Sequence, residues 1–417
     1  MKLWTYLKEK MRPYADRTAF AQSGVTYGDV LSWEQTESGG RLQLCEGNTR
    51  AALAESILRC IAAGNVAVPI TEEYGNNNSS YIRNVVADAK DETADDLAFV
   101  IFTSGTTGKP KGVMLTHENI TVNLEYIHSY FRIEGLRAIC IGRPPVHIAV
   151  LVGELLYALC CGLTIHFYEE PFMPRRLLSF LTRHEIDVFC ATPTLYQALA
   201  AADPHRKCPV KVGVISGEIL TEKASGKIAA AFPDTAFYHV YGLTEHSPRV
   251  TALPPEAFAR RPGSIGKPIG CVRLKIEDGE LLVRSPCVMK GYYHDPVRTA
   301  EMLRGGWLHT GDRAHADADG YLYIDGRVDN MLIRAGLNIY PEEIEEAVKE
   351  IDGVDDCIVC GERTENGTSV ILRYTGIADG ADVRKRLAAV LNPHAMPDRI
   401  EKTEAIPRTA SGKKQRT

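Results

Sequence analysis

The chain has 417 residues, of which 45% are hydrophobic, 24% charged and 8% aromatic. That balance excludes a wholly disordered or collagen-like chain, and at roughly 100–200 residues per domain the length suggests two to four domains or subdomains. Lys and Arg number 48 against 53 Asp and Glu, a formal net charge of −5, so the basic footprint of a dedicated nucleic-acid binder is missing.

The opening stretch MKLWTYLKEKMRPY has no apolar h-region and no cleavage pattern, so it is not expected to be a signal peptide. The 11 cysteines are scattered singly, as Cys45, Cys60, Cys140 and Cys190, or sit in an apolar run, as Cys160–Cys161. They are expected to be reduced, small buried hydrophobes of a cytoplasmic protein. Thr71–Ser80 reads as a polar loop, and Leu97–Phe102 as an apolar strand running into a Gly/Thr-rich loop. The apolar run Ile148–Ile165 approaches the length of a membrane span, about 20 residues. Glu154 inside it and His147 before it are costly in lipid. A buried helix followed by a strand is expected there, and no membrane span. Strands such as Val212–Ile215 and Phe237–Val240 alternate with helical segments Leu177–His184 and Lys223–Phe232, which implies layered α/β structure on a largely parallel sheet.

From about Gly270 short strands take over: Arg273–Glu277, Glu280–Arg284 and Tyr321–Asp325, with glycine turns between them. A boundary is expected near Gly326–Asp329. The fold class expected is therefore α/β: a large N-terminal domain over 1–328, with layered parallel sheets and a β-rich subdomain, then a small α+β domain over 329–417. In the tail, Pro341 suits a helix start and Glu342, Glu343 and Glu345 suit its first turn. Ile344, Ala347, Val348 and Ile351 form one apolar stripe, and Val383, Leu387, Val390 and Leu391 mark a second helix. Strands Cys357–Cys360 and Val370–Tyr374 lie between them. The CxxC of Cys357 and Cys360 has no second ligand pair at zinc-site spacing, so alternation in a buried strand is the expectation.

The segment carrying most chemistry is Thr103-Ser-Gly-Thr-Thr-Gly-Lys-Pro-Lys-Gly-Val113. Its glycines let backbone N–H groups approach an anion, its hydroxyls donate to phosphate oxygens, and its lysines neutralise charge. It is not a Walker A loop, because Pro110 follows Gly108-Lys109 where Ser or Thr is needed, which disfavours a P-loop phosphotransferase.

This loop resembles the phosphate-binding signature of the adenylate-forming superfamily, which includes acyl- and aryl-CoA ligases, peptide-synthetase adenylation domains and luciferases. Further blocks match in order over roughly residues 60–417: Ala62-Ala-Gly-Asn-Val-Ala-Val-Pro69, Pro144-Pro-Val-His-Ile-Ala149, Ser216-Gly-Glu218, Tyr241-Gly-Leu-Thr-Glu245, Gly306-Trp-Leu-His-Thr-Gly-Asp312, Gly326-Arg-Val-Asp329 running to Asn338-Ile-Tyr-Pro-Glu-Glu-Ile-Glu345, and Pro407-Arg-Thr-Ala-Ser-Gly-Lys413.

The resemblance implies a two-step ligase: ATP and a carboxylic acid give an acyl-adenylate, then a thiol of CoA or of an acyl or peptidyl carrier protein takes the acyl group. It implies that Thr103, Ser104, Gly105, Thr106, Thr107, Gly108 and Lys111 hold phosphates, and that Gly217, Glu218, His239, Tyr241, Gly242 and Thr244 surround adenine and the α-phosphate. Glu245 is expected to hold Mg²⁺, a hard cation that prefers oxygen. Asp312 is expected to accept from the ribose hydroxyls, with Arg327 nearby. Lys413, folding back from the tail, is expected to place an ammonium between the attacking carboxylate and the α-phosphate. Asp329 falls where the family's small, mobile domain swings. His147 resembles the acyl-site histidine of CoA ligases. Ala149 removes the anchor that amino-acid-activating relatives supply with Asp, which favours an uncharged acyl or arylalkyl chain beside the carboxylate.

The chain departs from the family pattern in three places. The segment between Pro69 and Thr103 is short, His239 replaces a common Asn, and Ala335 replaces a second glycine before Gly336. The compact front motivates a rival reading, a catalytically inactive nucleotide-binding sensor or scaffold.

Overall fold

The computed structural model describes residues 1–33, 39–71, 76–89, 94–103, 110–133, 135–202, 208–330, 332–334, 337–364, 367–408 and 414–416. By packing, the chain divides into two units. The first comprises Met1–Lys275, Leu282–His309 and Ala318–Leu322; the second comprises Ile276–Leu281, Thr310–Asp317 and Tyr323–Thr417.

The first unit holds a nine-stranded sheet among the described residues. At its centre Thr164–Phe167, Ala138–Ile141, Val188–Ala191, Val212–Ile215 and Ala236–Gly242 lie side by side and run parallel. The three in the middle read as unbroken apolar runs because helices cover both faces of a parallel sheet. Ala138–Ile141, Val188–Ala191 and Val212–Ile215 are buried at every position. Arg249–Leu253 adds an antiparallel strand, with His239 opposite Leu253 and Tyr241 opposite Thr251, and Lys267–Pro268 pairs on its outer side. A second, five-stranded sheet runs in the order Gly291–Tyr292, Lys111–Thr116, Leu97–Thr103, Val66–Pro69, Leu42–Cys45. Leu97–Thr103 pairs antiparallel with Lys111–Thr116, setting Thr103 opposite Lys111.

One local expectation changes here, and another is borne out with an added detail. Asn76–Asp88 is a helix, so the polar stretch is a helix start rather than loop throughout. Ile82, Val86 and Ala89 recur at helical spacing and are buried, and that stripe outweighs the local composition. The apolar run Ile148–Ile165 is a helix with a π-helical middle: Ile148–Val150, Leu151–Leu156 and Tyr157–Cys161, ended by Gly162 in the left-handed conformation. The strand Thr164–Phe167 follows. Among the described residues no helix is long and apolar enough to cross a membrane.

In the second unit, Val354–Thr364 pairs antiparallel with Gly367–Gly376, which pairs parallel with Arg399–Lys402. Helix Pro341–Lys349 buries Ile344 and Val348 against Cys357, Val359, Val370 and Leu372. Helix Gly380–Ala388 adds Val383 and Leu387. Val390 is 69% exposed, because the helix ends two residues before it. Cys357 belongs to this core, whereas Cys360 packs with Ile358 and Ile406. Strand alternation thus turns the two thiols to opposite faces, which is incompatible with a shared metal.

Candidate functional site

Each unit gathers its own set of chemically capable side chains. In the first, the parallel strands carry their C-terminal ends to one edge, where ligands of open α/β sheets bind. Ile141, Ala191 and Ile215 end three of these strands, and Ala236–Gly242 ends beside them. The segments containing His147, Ser216–Glu218 and Tyr241–Glu245 leave from that edge.

The central group is Lys111, Glu245 and Tyr292. Lys111 Nζ donates to Glu245 Oε1 at 2.8 Å and to the Tyr292 hydroxyl at 2.9 Å. The Tyr292 hydroxyl donates to the same Glu245 oxygen at 2.8 Å. Lys111 and Tyr292 meet because their strands are neighbours, with Tyr292 opposite Val113. Glu245 joins them from the short 3₁₀ turn Thr244–His246, and its carbonyl accepts from Met289 N–H at 2.9 Å. Burial alone raises the Glu245 pKa, but the Lys111 charge and the hydrogen bonds from Lys111 and Tyr292 outweigh it, so the carboxyl sits below its ordinary value. The site thus keeps a buried carboxylate ionised. Tyr292 was not singled out from sequence; its only signal was an aromatic pair, Tyr292-Tyr293, after Gly291.

Thr103 closes its strand with Oγ1 buried and without a hydrogen-bond partner among the described residues. Tyr241 and Thr244 are half-buried, and Gly242 is exposed. Gly217 is exposed, and Glu218 is half-buried with Oε2 accepting from Thr194 N–H at 3.1 Å and the Thr194 hydroxyl at 2.6 Å. That bond ties the Ser216–Glu218 segment to the start of helix Pro193–Ala202. His239 is 2% exposed and its Nδ1 bonds the Ser264 carbonyl at 2.6 Å. Burial pulls its pKa down to about 4, against the hydrogen bond to Ser264, so it is neutral near pH 7. His147 precedes the helix Ile148–Val150, and its carbonyl accepts from Val150 and Leu151 N–H at 2.9 and 2.8 Å. His147 and Ala149 are half-buried while Ile148 and Val150 are buried.

In the second unit Arg327 Nη1 donates to Asp312 Oδ1 at 2.9 Å and to the Thr310 carbonyl at 3.0 Å. Asp312 N–H donates to Thr310 Oγ1 at 3.0 Å, fixing the turn. Gly311 makes the approach possible: its φ is +69° and an added Cβ would stand 2.8 Å from Arg327 Nη2. Asp329 lies in the 3₁₀ turn Val328–Asn330.

Ser104, Gly105, Thr106, Thr107 and Gly108 of the phosphate loop lie outside the described residues, as does Lys413. On either side of 409–413, Arg408 and Lys414 both pair with Asp356 at 2.5 Å. Arg416 bonds Glu342 at 2.8 Å and also pairs with Glu345.

The sequence matches the family model for the AMP-binding enzyme over residues 43–293, and the model for the AMP-binding enzyme C-terminal domain over 343–413. It is 28% identical to a feruloyl-CoA synthase of an Amycolatopsis species over 480 aligned residues, covering 98% of this chain and 96% of that one. It is 32% identical to a long-chain-fatty-acid–CoA ligase of Bacillus subtilis, covering 76% of this chain and 60% of that protein. In fold it is similar to the O-succinylbenzoate coenzyme A synthetase of Bacillus subtilis, solved in complex with ATP and magnesium ion. The TM-score is 0.84 at 22% identity, covering 100% of this chain and 98% of that one.

Proposed function

The chain belongs to the AMP-binding enzyme family and is an AMP-forming acid–thiol ligase, and we propose that the residues set out above divide its two half-reactions between them. It activates a carboxylic acid with ATP to an acyl-adenylate and then passes the acyl group to a thiol. The observation that carries the residue assignment is the ionised, buried Glu245 held by Lys111 and Tyr292 beside the strand that ends in Thr103.

Glu245 fits a Mg²⁺ ligand. It is a hard, charged oxygen donor, and no cluster of three His, Cys, Asp or Glu that could hold a metal occurs among the described residues. The remaining ligands would then be phosphate oxygens and water, as Mg²⁺ prefers. When bound, the ion neutralises phosphate charge. The unpartnered Thr103 hydroxyl and Lys111 receive phosphate oxygens. Thr244 donates to the α-phosphate, Tyr241 offers adenine a flat face, and Gly217 with Glu218 shapes the same wall. Glu218 acts through its hold on Thr194. His239, buried and neutral, supports this strand from behind. Asp312 accepts from the ribose diol, and Arg327 keeps its carboxylate oriented.

Lys413 supplies the ammonium that offsets the charge built up when a carboxylate attacks the α-phosphate. Asp329 is the pivot between the two half-reactions. His147 and Ala149 face the acid, whose chain next to the carboxyl is uncharged. CoA is the acceptor we favour over a carrier-protein phosphopantetheine, in keeping with the CoA ligases among its relatives. The 11 cysteines, scattered along the chain or set in apolar runs, suit a reducing cytoplasm.

The test is a panel of acids with ATP, Mg²⁺ and CoA, read by mass detection of AMP and thioester. Equal amounts of AMP and thioester are expected for at least one acid. Formation of ADP without AMP, or no product with any acid, contradicts the assignment.

A further inference from the structure

The first unit buries a second ionic cluster that the roles above leave unused. Arg143 follows the strand Ala138–Ile141, and its Nη2 donates to Glu154 Oε1 at 2.8 Å. Glu154 is 1% exposed and sits in the π-helical stretch Leu151–Leu156. Arg249, 4% exposed, lays its guanidinium against the same stretch: a Cβ on Gly153 would stand 2.8 Å from Arg249 Nη2. Gly153 therefore admits Arg249. Among the described residues four polar atoms of this cluster are buried without a hydrogen-bond partner: Arg143 Nε, Glu154 Oε2, and Arg249 Nε and Nη1.

Arg143 thus bonds the Glu154 carboxylate directly, and the Arg249 charge acts on the same carboxylate without a hydrogen bond to it. Arginine does not give up its proton, so the cluster carries excess positive charge in a buried place. Unspent donors on a desolvated guanidinium call for another acceptor. A π-helical turn inside a helix is itself frequent at functional sites.

The cluster also opens in one direction. The Arg143 side chain is 21% exposed, and its Nη1 lies 3.8 Å from where a Cβ on Gly217 would be. Arg143 therefore reaches from buried Glu154 to exposed Gly217. Glu154 belongs to the same continuous helix that begins after His147 and carries Ala149.

Resting on the ligase reading above, we propose that Arg143 is the specificity-determining residue of the acid subsite, and that it selects an acid bearing a second carboxylate far from the one that is activated. Arg249 then balances Glu154 while Arg143 engages the substrate, and the four charges sum to zero. A carboxylate suits this place because guanidinium binds it through two parallel hydrogen bonds. The near end of the acid stays uncharged, as Ala149 requires, and the far end supplies the missing anion.

The test compares matched pairs in ATP–pyrophosphate exchange with the full-length chain: terephthalate against 4-methylbenzoate, and adipate against hexanoate. The wild type is expected to prefer the dicarboxylate of a pair by about 100-fold in kcat/KM, carried by KM. Arg143→Gln is expected to erase that preference, the dicarboxylate of each pair losing about 100-fold more than its monocarboxylate. Arg143→Lys, which keeps the charge but loses the fork, is expected to recover part of it. Calorimetry with the dicarboxylate alone should show binding to wild type and none to Arg143→Gln. Should Arg143→Gln not fold, the preference ratio of Arg143→Lys and Arg249→Lys decides. Equal loss on both acids of a pair, or a wild type that prefers the monocarboxylates, overturns the assignment while leaving the ligase intact. No exchange with any acid overturns both.

Discussion

Glu245 in the first unit and Asp312 in the second are both carboxylates paired with one cation, yet their settings differ. Glu245 takes two donors on one oxygen, and its side chain and that of Lys111 are 10% and 22% exposed. Asp312 and Arg327 are 14% and 44% exposed, and Arg327 divides its bonds between a carboxylate and a carbonyl. Burial makes the first pair part of the framework, since an uncompensated buried charge is costly. Solvent screening makes the second pair cheap to disturb. The first unit should therefore respond to mutation in stability and in both half-reactions, and the second in single steps.

The sharpest separation is expected from Lys413→Ala. Adenylate formation should fall by about 10³-fold, while thioester formation from supplied acyl-adenylate persists. Rapid-quench assays of each half-reaction check this, and equal loss of both contradicts the role of Lys413. Next is Lys111→Met, which strands the buried Glu245 carboxylate and should cost about 3 kcal/mol of stability by denaturant titration, with both half-reactions impaired. Its effect has a pH signature. The Glu245 pKa is depressed in the folded state, so the stability it contributes is present above the unfolded carboxyl pKa and lost as pH falls through the folded value. The gap between wild type and Lys111→Met should be constant near neutrality and close on acidification.

Asp329→Pro should spare adenylation and slow thioester formation by about tenfold, a change confined to one step of the cycle. Arg327→Met should cost less than about 1 kcal/mol of stability while raising KM for ATP several-fold, which would blur the comparison if stability fell as far as in Lys111→Met. The smallest effect is expected from His239→Asn. His239 is held near pKa 4 by burial, so the unfolded chain binds the extra proton between about pH 6.5 and 4 and wild-type stability declines as pH falls across that window. The variant should flatten that decline in thermal melts taken at successive pH values.

Much of this arrangement was legible in the residues, and the reasons are local. Val212–Ile215 is an apolar run bounded by turn residues, and it is a strand with those ends. Pro341 followed by acids starts a helix, as the dipole favours. The Thr103 and Glu245 motifs are chemically dense enough to stand out. What was not legible depends on distant pairing. Tyr292 joins Lys111 only because Gly291–Tyr292 pairs with Lys111–Thr116 across a long stretch of chain. Arg143 and Arg249 look like ordinary charges in sequence, Glu154 stands out only as an acid in an apolar run, and packing around Gly153 brings Arg249 to that run. Asn76–Ser80 read as loop because asparagine and serine dominate, while the stripe that makes the helix begins only at Ile82.

ATP–pyrophosphate exchange with labelled pyrophosphate tests the central claim most directly, because only reversible formation of an enzyme-bound adenylate returns label to ATP. Label should enter ATP in the presence of an accepted acid and Mg²⁺, without CoA, and should fail to enter with Lys413→Ala. A folded wild-type chain that binds ATP yet exchanges no label across a broad panel of mono- and dicarboxylic acids would contradict the account.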